Sequence, residues 1–589
     1  MLTRKQFEVL ADVARYGAAP QRLVADRTGL SLGSTNAAMR WLKEAGALDG
    51  GGVITQSGWE MLDPYKVDNA IIMAAGLSSR FAPISYERPK GMLCVRGEIL
   101  IERQIRQLKE AGIDDITVVV GYMKEQFFYL EDKFGCKIRV NEQYAQRNNN
   151  STLMLVRGQL GNTYICSSDN YFTENVFEPY VYQAYYAAAF FEGETEEYLM
   201  TVGAGNRITR VSKGGRDGYG MLGHAYFDRA YSEAFKRILE AEYGRPETAP
   251  KLWEDIYVDH IGELNMVMRP YPQGVIHEFD SLEEIGAFDP AFIENVDSSI
   301  LDNICKTLEV ERGEVRGIEP ISQGLTNLSF KFEARGKLYV YRHPGAGTDA
   351  IINRAAETFS QKVGYELGLD DTFIYEDPEV GWKISRYLPD CVELDYHDAA
   401  HVAEAMRMAR TLHRCGVKSD FDFDVYEKTL AIVALLDERH RSSFSDFKPL
   451  YDMIAELAAH VAADGTPRCL CHNDFYSPNL LVAEGKMYLI DWEYSGMSDY
   501  ASDLGTFICC SDYGLQEAVD VLAAYFEREP SREELAHCLA YVALSSYYWF
   551  IWALYKDACG APVGEWLYLW YKNAKLFGRA ARAAIEALN

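Results

Sequence analysis

The loop at 471–482, CHNDFYSPNLLV, carries the most specific arrangement of reactive residue types in the chain. A His-x-Asp element is followed, after four further residues, by Asn479, and the apolar run MYLI then ends at Asp491. A carboxylate in such a loop can accept the proton of a substrate hydroxyl, and Asn and Asp oxygens can hold Mg²⁺ against ATP phosphates. The spacing predicts a kinase reaction, with Asp474 as the catalytic base and Asn479 and Asp491 as metal ligands.

The segments before this loop supply the other parts that a kinase site needs. ISQGLTNLSF at 321–330 predicts a hairpin over the phosphates, and WKISRYLPD at 382–390 predicts the hinge beside adenine. A strand Arg in YVYRHPG and a helical Glu in RAAETF would form an ion pair. The residues assigned to this nucleotide are Gly324, Thr326, Asn327, Arg342 and Glu357.

A second loop, AAGLSSRF at 74–81, follows an apolar strand and precedes Pro89-Lys90. A Gly-containing turn lets backbone N–H groups approach a phosphate, and nearby Arg and Lys side chains add positive charge. Most Gly-Ser turns are ordinary turns, but the spacing through to Lys90 is more specific. We assign Ala75, Gly76 and Ser79 to the nucleotide, and Arg80 and Lys90 to catalysis.

This spacing resembles the signature of nucleotidyltransferases that make sugar nucleotides and CDP-choline, although their loop usually has Gly where Ser78 stands. With NEQYAQRNNNSTLMLV and SSDNYF, the segment resembles the bacterial CTP:phosphocholine cytidylyltransferases. The resemblance implies attack of a phosphomonoester on the α-phosphorus of CTP. It also implies that Asn148 and Asn149 contact the nucleotide, Asp169 and Asp280 hold Mg²⁺, and Trp253 and Asp255 lie near choline. Alternatively, each metal-binding Asp caps a turn and Trp253 is a core residue.

The stretch 538–555, CLAYVALSSYYWFIWALY, has no charged residue over 18 positions, a borderline length for a membrane span. Its Ser and Tyr content favours a buried aromatic helix over a span. The stretch resembles the C-terminus of choline/ethanolamine kinases, whose Trp pair lines the choline pocket. A quaternary ammonium is recognised by such aromatic faces. The candidates are Trp549, Trp552, Tyr571 and Tyr513, with an ordinary aromatic core as the alternative. In the same superfamily an Asp matching Asp503 braces the catalytic loop.

Three predicted domains must position these residues. Residues 1–65 predict a winged helix-turn-helix of α+β class, residues 66–295 a Rossmann-like α/β nucleotidyltransferase, and residues 296–589 a bilobal, protein-kinase-like α+β domain. Alternation of strands and helices in the middle segment predicts a largely parallel sheet that binds ligands at the carboxyl ends of its strands.

The composition limits the partners. The chain of 589 residues has 87 acidic and 59 basic side chains, a net charge of −28, which argues against nucleic-acid binding along the whole chain. Its 12 Cys show no disulfide or zinc framework, and the start lacks the apolar core of a signal peptide. We therefore expect a soluble, reduced, cytoplasmic protein. DNA is a candidate partner of residues 1–65, where three helices and a hairpin at 50–62 resemble winged helix-turn-helix domains; a structural or dimerisation role is the alternative.

The two enzyme resemblances predict consecutive reactions. Choline and ATP would give phosphocholine, and phosphocholine and CTP would then give CDP-choline, with Mg²⁺ in both steps, for phosphocholine decoration of a bacterial surface or lipid. One alternative keeps both chemistries but changes the substrate to ethanolamine or another amino alcohol. Another is a transcription regulator whose enzyme-like domains sense choline metabolites. The sequence leaves the oligomeric state open.

Overall fold

The computed structural model describes residues 1–78, 81–321, 328–345, 352–436, 441, 443–558 and 563–588. Contacts divide the chain into two compact units, Met1–Asn303 and Ile304–Asn589. The two predicted reaction centres therefore fall into different units, and each unit is described by itself.

The first unit begins with four helices, α1 (Arg4–Tyr16), α2 (Gln21–Thr28), α3 (Leu32–Glu44) and α4 (Gln56–Leu62). Within this fully described segment, the expected hairpin at 50–62 is reduced to an isolated bridge between Leu48 and Ile54. Its second half is helical because the Thr55 hydroxyl accepts the Gly58 N–H at 3.1 Å and so caps α4. The winged-helix assignment of residues 1–65 stays a prediction.

Aromatic side chains attach these helices to the rest of the first unit. Tyr65 stacks on Tyr182 with ring centroids 5.6 Å apart, and Phe7 contacts both rings. The Tyr182 hydroxyl also donates to the Leu2 carbonyl at 3.3 Å. The N-terminal helices thus share a hydrophobic core with the segment around Tyr182.

The remainder of the first unit contains strands and helices in alternation. The strands are β1 (Asn69–Ala74), β2 (Cys94–Val95), β3 (Glu98–Ile99), β4 (Ile116–Val120), β5 (Lys137–Val140), β6 (Thr163–Ser167), β7 (Asn170–Phe172), β8 (Tyr185–Val202), β9 (Ile208–Phe227), β10 (Val267–Pro270) and β11 (Ile276–Glu278). The helices are α5 (Leu100–Glu110), α6 (Tyr129–Phe134), α7 (Asn150–Val156), α8 (Arg229–Glu242), α9 (Trp253–Asp259), α10 (Leu282–Phe288), α11 (Phe292–Asn295) and α12 (Ser299–Leu308), the last of which continues into the second unit.

A seven-stranded mixed sheet has the order β10-β8-β9-β6-β1-β4-β5. Strands β6, β1, β4 and β5 are parallel, as expected, whereas β8 and β9 form a long antiparallel ribbon beside β6. Met73 on β1 pairs with Ser167 on β6. The loops that follow these two strands therefore start side by side at the carboxyl edge of the sheet.

The second unit begins with strands and continues mainly as helices. Its strands are β12 (Arg316–Ile321), β13 (Leu328–Ala334), β14 (Lys337–His343), β15 (Phe373–Glu376), β16 (Lys383–Arg386), β17 (Val392–Glu393), β18 (Cys469–Cys471), β19 (Leu480–Ala483), β20 (Lys486–Leu489) and β21 (Gly496–Ser498). Its further helices are α13 (Arg354–Glu366), α14 (Ala399–His413), α15 (Val425–Leu435), α16 (Phe447–Ala463), α17 (Tyr500–Cys509), α18 (Leu515–Phe526), α19 (Arg532–Ala558) and α20 (Trp566–Glu586). A five-stranded antiparallel sheet, β12-β13-β14-β16-β15, forms its β-rich part.

Helix α19 contains the uncharged stretch. Among the described residues it is the one helix long and apolar enough to cross a membrane, and 89% of its apolar 18-residue window is buried inside the protein. A helix without a polar face suits a position surrounded by other elements. Helices α17 and α20 pack along it within the core of the second unit.

Candidate active sites

Lys90 and Asp169 meet at the carboxyl edge of the sheet in the first unit. Nζ of Lys90 lies 2.7 Å from Oδ2 of Asp169. Burial opposes the charge of Lys90, but Asp169, followed by Glu278 and Asp280, raises its pKa. Burial likewise opposes the charge of Asp169, but Lys90 lowers the pKa of that carboxyl. The two side chains form a charged pair at neutral pH.

Carboxylates on β11 and in the loop after it join this pair. Glu278, which the sequence analysis missed, accepts a hydrogen bond from Asn170 Nδ2 at 3.1 Å because β11 pairs with β7. Asp280 follows two residues later. Among the described residues, no group hydrogen-bonds the buried Oδ1 atom of Asp169. Oxygen donors of this kind fit a Mg²⁺ ion.

The loop after β1 is described as far as Ser78. The Ala75 carbonyl accepts the Tyr122 N–H at 3.2 Å, and an ideal Cβ at Gly76 would meet no atom of the described residues within 4 Å. Ser78 has φ of +51°, in the left-handed region that favours Gly. Ser79 and Arg80, both assigned to this site from the sequence, lie outside the described residues.

Asn148 and Asn149 hold the segment that leads into α9. Asn148 Nδ2 donates to the Pro250 carbonyl at 3.1 Å. Asn149 Oδ1 accepts the Trp253 N–H at 2.7 Å, and its Nδ2 donates to Glu254 at 3.2 Å. In the geometry shown here, both amides connect two protein segments, so their predicted contact with the nucleotide remains a proposal.

The two residues expected near choline have other surroundings. Trp253 is 1% exposed and stacks on Tyr186 at 5.6 Å within the core, so its indole faces no open space. Asp255, in the first turn of α9, accepts the Leu252 N–H at 2.8 Å and the Tyr198 hydroxyl at 2.7 Å. Trp253 is therefore a core residue, because α9 packs on the sheet through it, whereas the contact of the half-buried Asp255 with choline stays a prediction.

Glu254, between them, was missed and has the properties of a ligand-binding carboxylate. It accepts hydrogen bonds from Asn149 and from the Tyr186 hydroxyl, the latter at 3.1 Å. Burial raises the pKa of Glu254 to about 7. A buried carboxyl with so little compensating charge is stabilised by a cation. A sequence pattern could have indicated Glu254. Adjacent residues on a helix point about 100° apart, so the residue next to a core Trp points away from the core.

The second unit assembles the kinase-like loop around an internal brace. Asn479 Nδ2 donates to Oδ2 of Asp474 at 2.9 Å. Asp503 accepts the backbone N–H groups of His472 and Asn473, the former at 2.9 Å. The expected bracing role of Asp503 follows directly from these bonds. Burial, with Asp491 and Glu493, raises the pKa of Asp474 well above its ordinary value.

Arg342 connects two of the other predicted residues. Its guanidinium lies 2.8 Å from Oδ1 of Asp491 and hydrogen-bonds Glu357 on α13. Burial opposes the charge of Glu357, but Arg342 and then Lys383 lower its pKa to about 2. The ion pair expected between the strand Arg and the helical Glu is therefore formed. Gly324, Thr326 and Asn327 lie outside the described residues.

A cavity of about 700 Å³ connects these groups to an aromatic wall. Asp474, Asn479 and Asp491 line one part, and four Trp side chains line another: Trp549, Trp552, Trp566 and Trp570. Trp549 and Trp570 have centroids 5.8 Å apart, and Trp549 and Trp552 lie 5.7 Å apart at 78°. Trp566 and Trp570 were missed, although their spacing of four residues on α20 places them on one helical face.

The remaining two choline candidates lie elsewhere in the second unit. The Tyr571 hydroxyl donates to Asp446 at 2.7 Å, and its ring packs on Phe444 and Phe550. Tyr513 donates its hydroxyl to the Tyr396 carbonyl. Neither lines the cavity. For Tyr571 the reason is helical geometry, because it is one residue, or about 100°, away from Trp570.

Comparisons with known proteins agree with two catalytic units. The MobA-like NTP transferase domain matches residues 70–185, and the Phosphotransferase enzyme family matches residues 366–537. A 2-aminoethylphosphonate cytidylyltransferase of Lancefieldella rimae is 36% identical over 229 residues, covering 38% of this chain and 93% of that protein. A choline-phosphate cytidylyltransferase of Streptococcus pneumoniae is 33% identical over 215 residues, which cover 36% of this chain and 94% of that protein. The crystal structure of choline kinase LicA from Streptococcus pneumoniae is 26% identical, covers 48% of this chain and 98% of that chain, and has a TM-score of 0.42.

Proposed function

The chain belongs to the cytidylyltransferase family of NTP transferases, and we propose that it makes CDP-choline in two steps. The second unit transfers phosphate from ATP to choline. The first unit transfers the cytidylyl group of CTP to phosphocholine and releases pyrophosphate. In this proposal the product supplies activated phosphocholine for transfer to a bacterial surface polymer or lipid, and the enzyme works in the cytoplasm, where ATP and CTP are available.

The single observation that carries the choline assignment is the composition of the second unit's cavity. It places the Trp549–Trp552–Trp566–Trp570 wall and the Asp474 and Glu493 carboxylates around one space. A quaternary ammonium donates no hydrogen bond, so aromatic faces and negative charge are the groups that can bind it. The same space holds the phosphoryl-transfer residues, which brings an alcohol bound at the aromatic wall to ATP.

In the kinase reaction Asp474 accepts the proton of the choline hydroxyl. Asp474 lines the same cavity as the Trp wall, so its carboxylate lies where it can receive that proton. Asn479 holds the Asp474 carboxylate through the hydrogen bond to Oδ2. Arg342, oriented by Glu357, binds the phosphates of ATP.

In the cytidylyl transfer the phosphocholine oxygen is already ionised, so no general base is needed. Lys90 neutralises charge on the CTP phosphates, and Glu254 supplies a negative group for the choline end. Asp169 and Asp280 here, and Asn479 and Asp491 in the kinase unit, would hold Mg²⁺, which when bound would supply further charge neutralisation at the phosphates. Catalysis then consists mainly of positioning and electrostatic stabilisation.

A coupled assay tests the proposal. Purified full-length protein is incubated with choline, ATP, CTP and Mg²⁺, and phosphocholine and CDP-choline are followed by mass spectrometry. We expect both to form. Asp474→Asn should stop phosphocholine formation but still convert added phosphocholine, and Asp169→Asn should do the reverse. Absence of ADP release with choline would overturn the kinase assignment, and loss of both activities in either variant would overturn the two-site assignment.

The amine specificity requires a second comparison, because the relative from Lancefieldella rimae is named for 2-aminoethylphosphonate. We therefore compare kcat/KM for phosphocholine, phosphoethanolamine and 2-aminoethylphosphonate in the first unit, and for choline and ethanolamine in the second. If both units are specific for choline, kcat/KM should be highest for phosphocholine in the first unit and for choline in the second. A phosphonate does not require a kinase, so a first unit selective for 2-aminoethylphosphonate would contradict a shared pathway.

DNA binding by residues 1–65 is a separate hypothesis. It rests on the helix order and on Arg40, which is exposed on α3. A mobility-shift assay with the protein's own promoter, with Arg40→Ala as the variant, tests it. Binding that is lost in the variant would support a regulatory role alongside the enzyme; no shift at low salt would remove DNA from the partners.

A further inference from the structure

Two Cys, a His and an Asp meet behind the catalytic loop of the second unit. Cys469 and Cys471 share one face of β18, and their Sγ atoms lie 3.6 Å apart. His413 on α14 and Asp503 on α17 approach the same place. One ligand atom from each of them and Sγ of Cys471 all lie within 4.8 Å of one another. Sulfur, imidazole and carboxylate donors in this combination are typical of zinc sites.

The distances are close to those that a tetrahedral zinc ion imposes. With Zn–S bonds of about 2.3 Å, two sulfur ligands stand about 3.8 Å apart, near the 3.6 Å between Cys469 and Cys471. Nε2 of His413 lies 2.9 Å from Oδ2 of Asp503. A zinc ion bound to both of these atoms would separate them to about 3.4 Å. A small widening of this pair, with a movement of the Cys471 thiol toward it, therefore closes a tetrahedral shell.

The hydrogen bonds around the cluster suit a metal-binding His. Nδ1 of His413 lies 2.9 Å from the Tyr525 hydroxyl, which can accept a hydrogen bond as well as donate one. His413 can therefore carry its proton on Nδ1 and leave Nε2 for a metal, the usual arrangement of a zinc-binding His. The further lone pairs of Asp503 still accept the N–H groups of His472 and Asn473. A metal is thus compatible with the brace of the catalytic loop.

Cys469 gives the cluster contact with solvent. His413, Cys471 and Asp503 are buried, whereas Cys469 is partly exposed. The hydrogen bond from Cys471 lowers the pKa of Cys469, which favours the thiolate that a metal requires. The spacing of Cys along the sequence does not indicate this site, because its ligands come from three segments that only the fold brings together.

We propose a structural Zn²⁺ site behind the catalytic loop, with four ligands: Cys469, Cys471, His413 and Asp503. Zinc takes the place of the proton between His413 and Asp503. Binding forms two Zn–S bonds and releases the two thiol protons, while His413 stays neutral as its other tautomer. The ion connects α14 and α17 to β18, the strand that leads into the loop with Asp474. It stabilises the second unit and takes no part in phosphoryl transfer.

Co²⁺ is the probe for this site, because its spectrum reports both the ligands and the geometry. Full-length protein is freed of metal with a chelator, kept reduced with a phosphine in the absence of oxygen, and titrated with Co²⁺. We expect a thiolate-to-cobalt charge-transfer band in the near ultraviolet and the visible bands of tetrahedral Co²⁺. Zn²⁺ should displace the Co²⁺, since it binds such ligands more tightly. Mg²⁺ should not, because it takes oxygen ligands, and this separates the site from the two proposed catalytic centres.

Cys469→Ser is the principal variant, because a partly exposed side chain tolerates the change. It should lose most of the charge-transfer band and bind Zn²⁺ at least about tenfold more weakly. Zn²⁺ should raise the unfolding temperature of the second unit in the wild type but not in this variant. Cys94→Ser, which removes an exposed thiol from the first unit, is the matched control and should behave as the wild type does.

Tyr525→Phe tests the site without changing a ligand. It removes the partner of Nδ1 of His413, so the affinity for Zn²⁺ should fall by about tenfold, while saturating Co²⁺ still gives the charge-transfer band. Absence of that band in the wild type, a band of equal strength in Cys469→Ser, or an unfolding temperature of the second unit that does not respond to Zn²⁺ would each overturn the proposal. None of these measurements depends on the alcohol that the second unit phosphorylates.

Discussion

Ser78 lies in the loop after β1, to which the sequence analysis assigns phosphate binding. Its φ of +51° costs a non-Gly residue about 1 kcal/mol. Gly at this position removes that cost but makes the unfolded chain more flexible. We expect Ser78→Gly to change the unfolding free energy of the first unit by less than about 1 kcal/mol, whereas Ser78→Val lowers it by about 2 kcal/mol, since β-branched residues avoid positive φ.

Calorimetric unfolding measures this difference, with the transition of the first unit identified by its shift on adding CTP. Gly76→Ala is the control, because a Cβ there meets no atom of the described part of the chain within 4 Å and φ is not positive. This variant should keep the transition temperature but weaken CTP binding if the backbone of Gly76 approaches a phosphate. Equal stability of Ser78→Gly and Ser78→Val would contradict the strain argument.

Trp570 and Tyr571 are neighbours in sequence with different expected roles. Trp570 lines the cavity, whereas Tyr571 binds Asp446 away from it. Loss of one aromatic face from a desolvated cation site costs up to about 2 kcal/mol. We expect Trp570→Leu to raise the KM for choline by about tenfold with little change in the KM for ATP, as measured in steady-state kinetics.

Tyr571→Leu is the matched comparison for this prediction. It removes an aromatic ring from the same helix but not from the cavity, so the KM for choline should stay within about twofold of the wild-type value. A larger choline effect in Tyr571→Leu than in Trp570→Leu would place the cation on the other face of α20.

At the scale of elements, the sequence predicts the strands and loops that approach the reacting groups better than it predicts side-chain surroundings. The β1 strand, the Asp474 loop and the buried α19 follow from apolar runs and polar spacing. The expected contacts of Trp253 and Tyr571 fail because a one-residue step on a helix changes the face by about 100°. Long-range packing determines which helix face meets the site, here the packing of α9 on the sheet and of α20 on α19. A local sequence pattern carries no information about that packing.

His537 links three elements of the second unit. Its Nδ1 lies 2.5 Å from Asp464 after α16, and its Nε2 lies 3.0 Å from Asp499, which caps α17. Burial opposes the charge, but Asp499 and Asp464 raise the pKa of His537 above its ordinary 6.5. This contribution to stability is complete below pH 6.5 and is lost as pH rises through the raised pKa. We expect the second unit to become less stable over that range.

Thermal unfolding of the full-length protein as a function of pH measures this loss. In His537→Gln the unfolding temperature of the second unit should be lower at acid pH and should depend less on pH than in the wild type. The transition of the first unit in the same scans is the internal reference. If the unfolding temperature of the second unit depends on pH in the same way in His537→Gln and in the wild type, this ion pair does not contribute to stability.

At the scale of the whole molecule, the described residues of each proposed site belong to one unit. The residues around Lys90 and Asp169 all precede residue 304, and the cavity that contains Asp474 is lined by residues 321–570. Neither chemistry therefore requires a side chain from the other unit. Phosphocholine made by one molecule should be a substrate for the first unit of another.

Mixing two inactivated proteins tests this independence. Asp169→Asn retains the kinase residues and Asp474→Asn retains the cytidylyltransferase residues, so neither alone should form CDP-choline from choline, ATP and CTP. Their mixture should form it after a lag in which free phosphocholine accumulates, because the intermediate must cross the solvent. Mass spectrometry follows both compounds, and added phosphocholine should abolish the lag. A mixture that stays inactive, although each protein keeps its own half-reaction, would mean that the intermediate must pass within one chain.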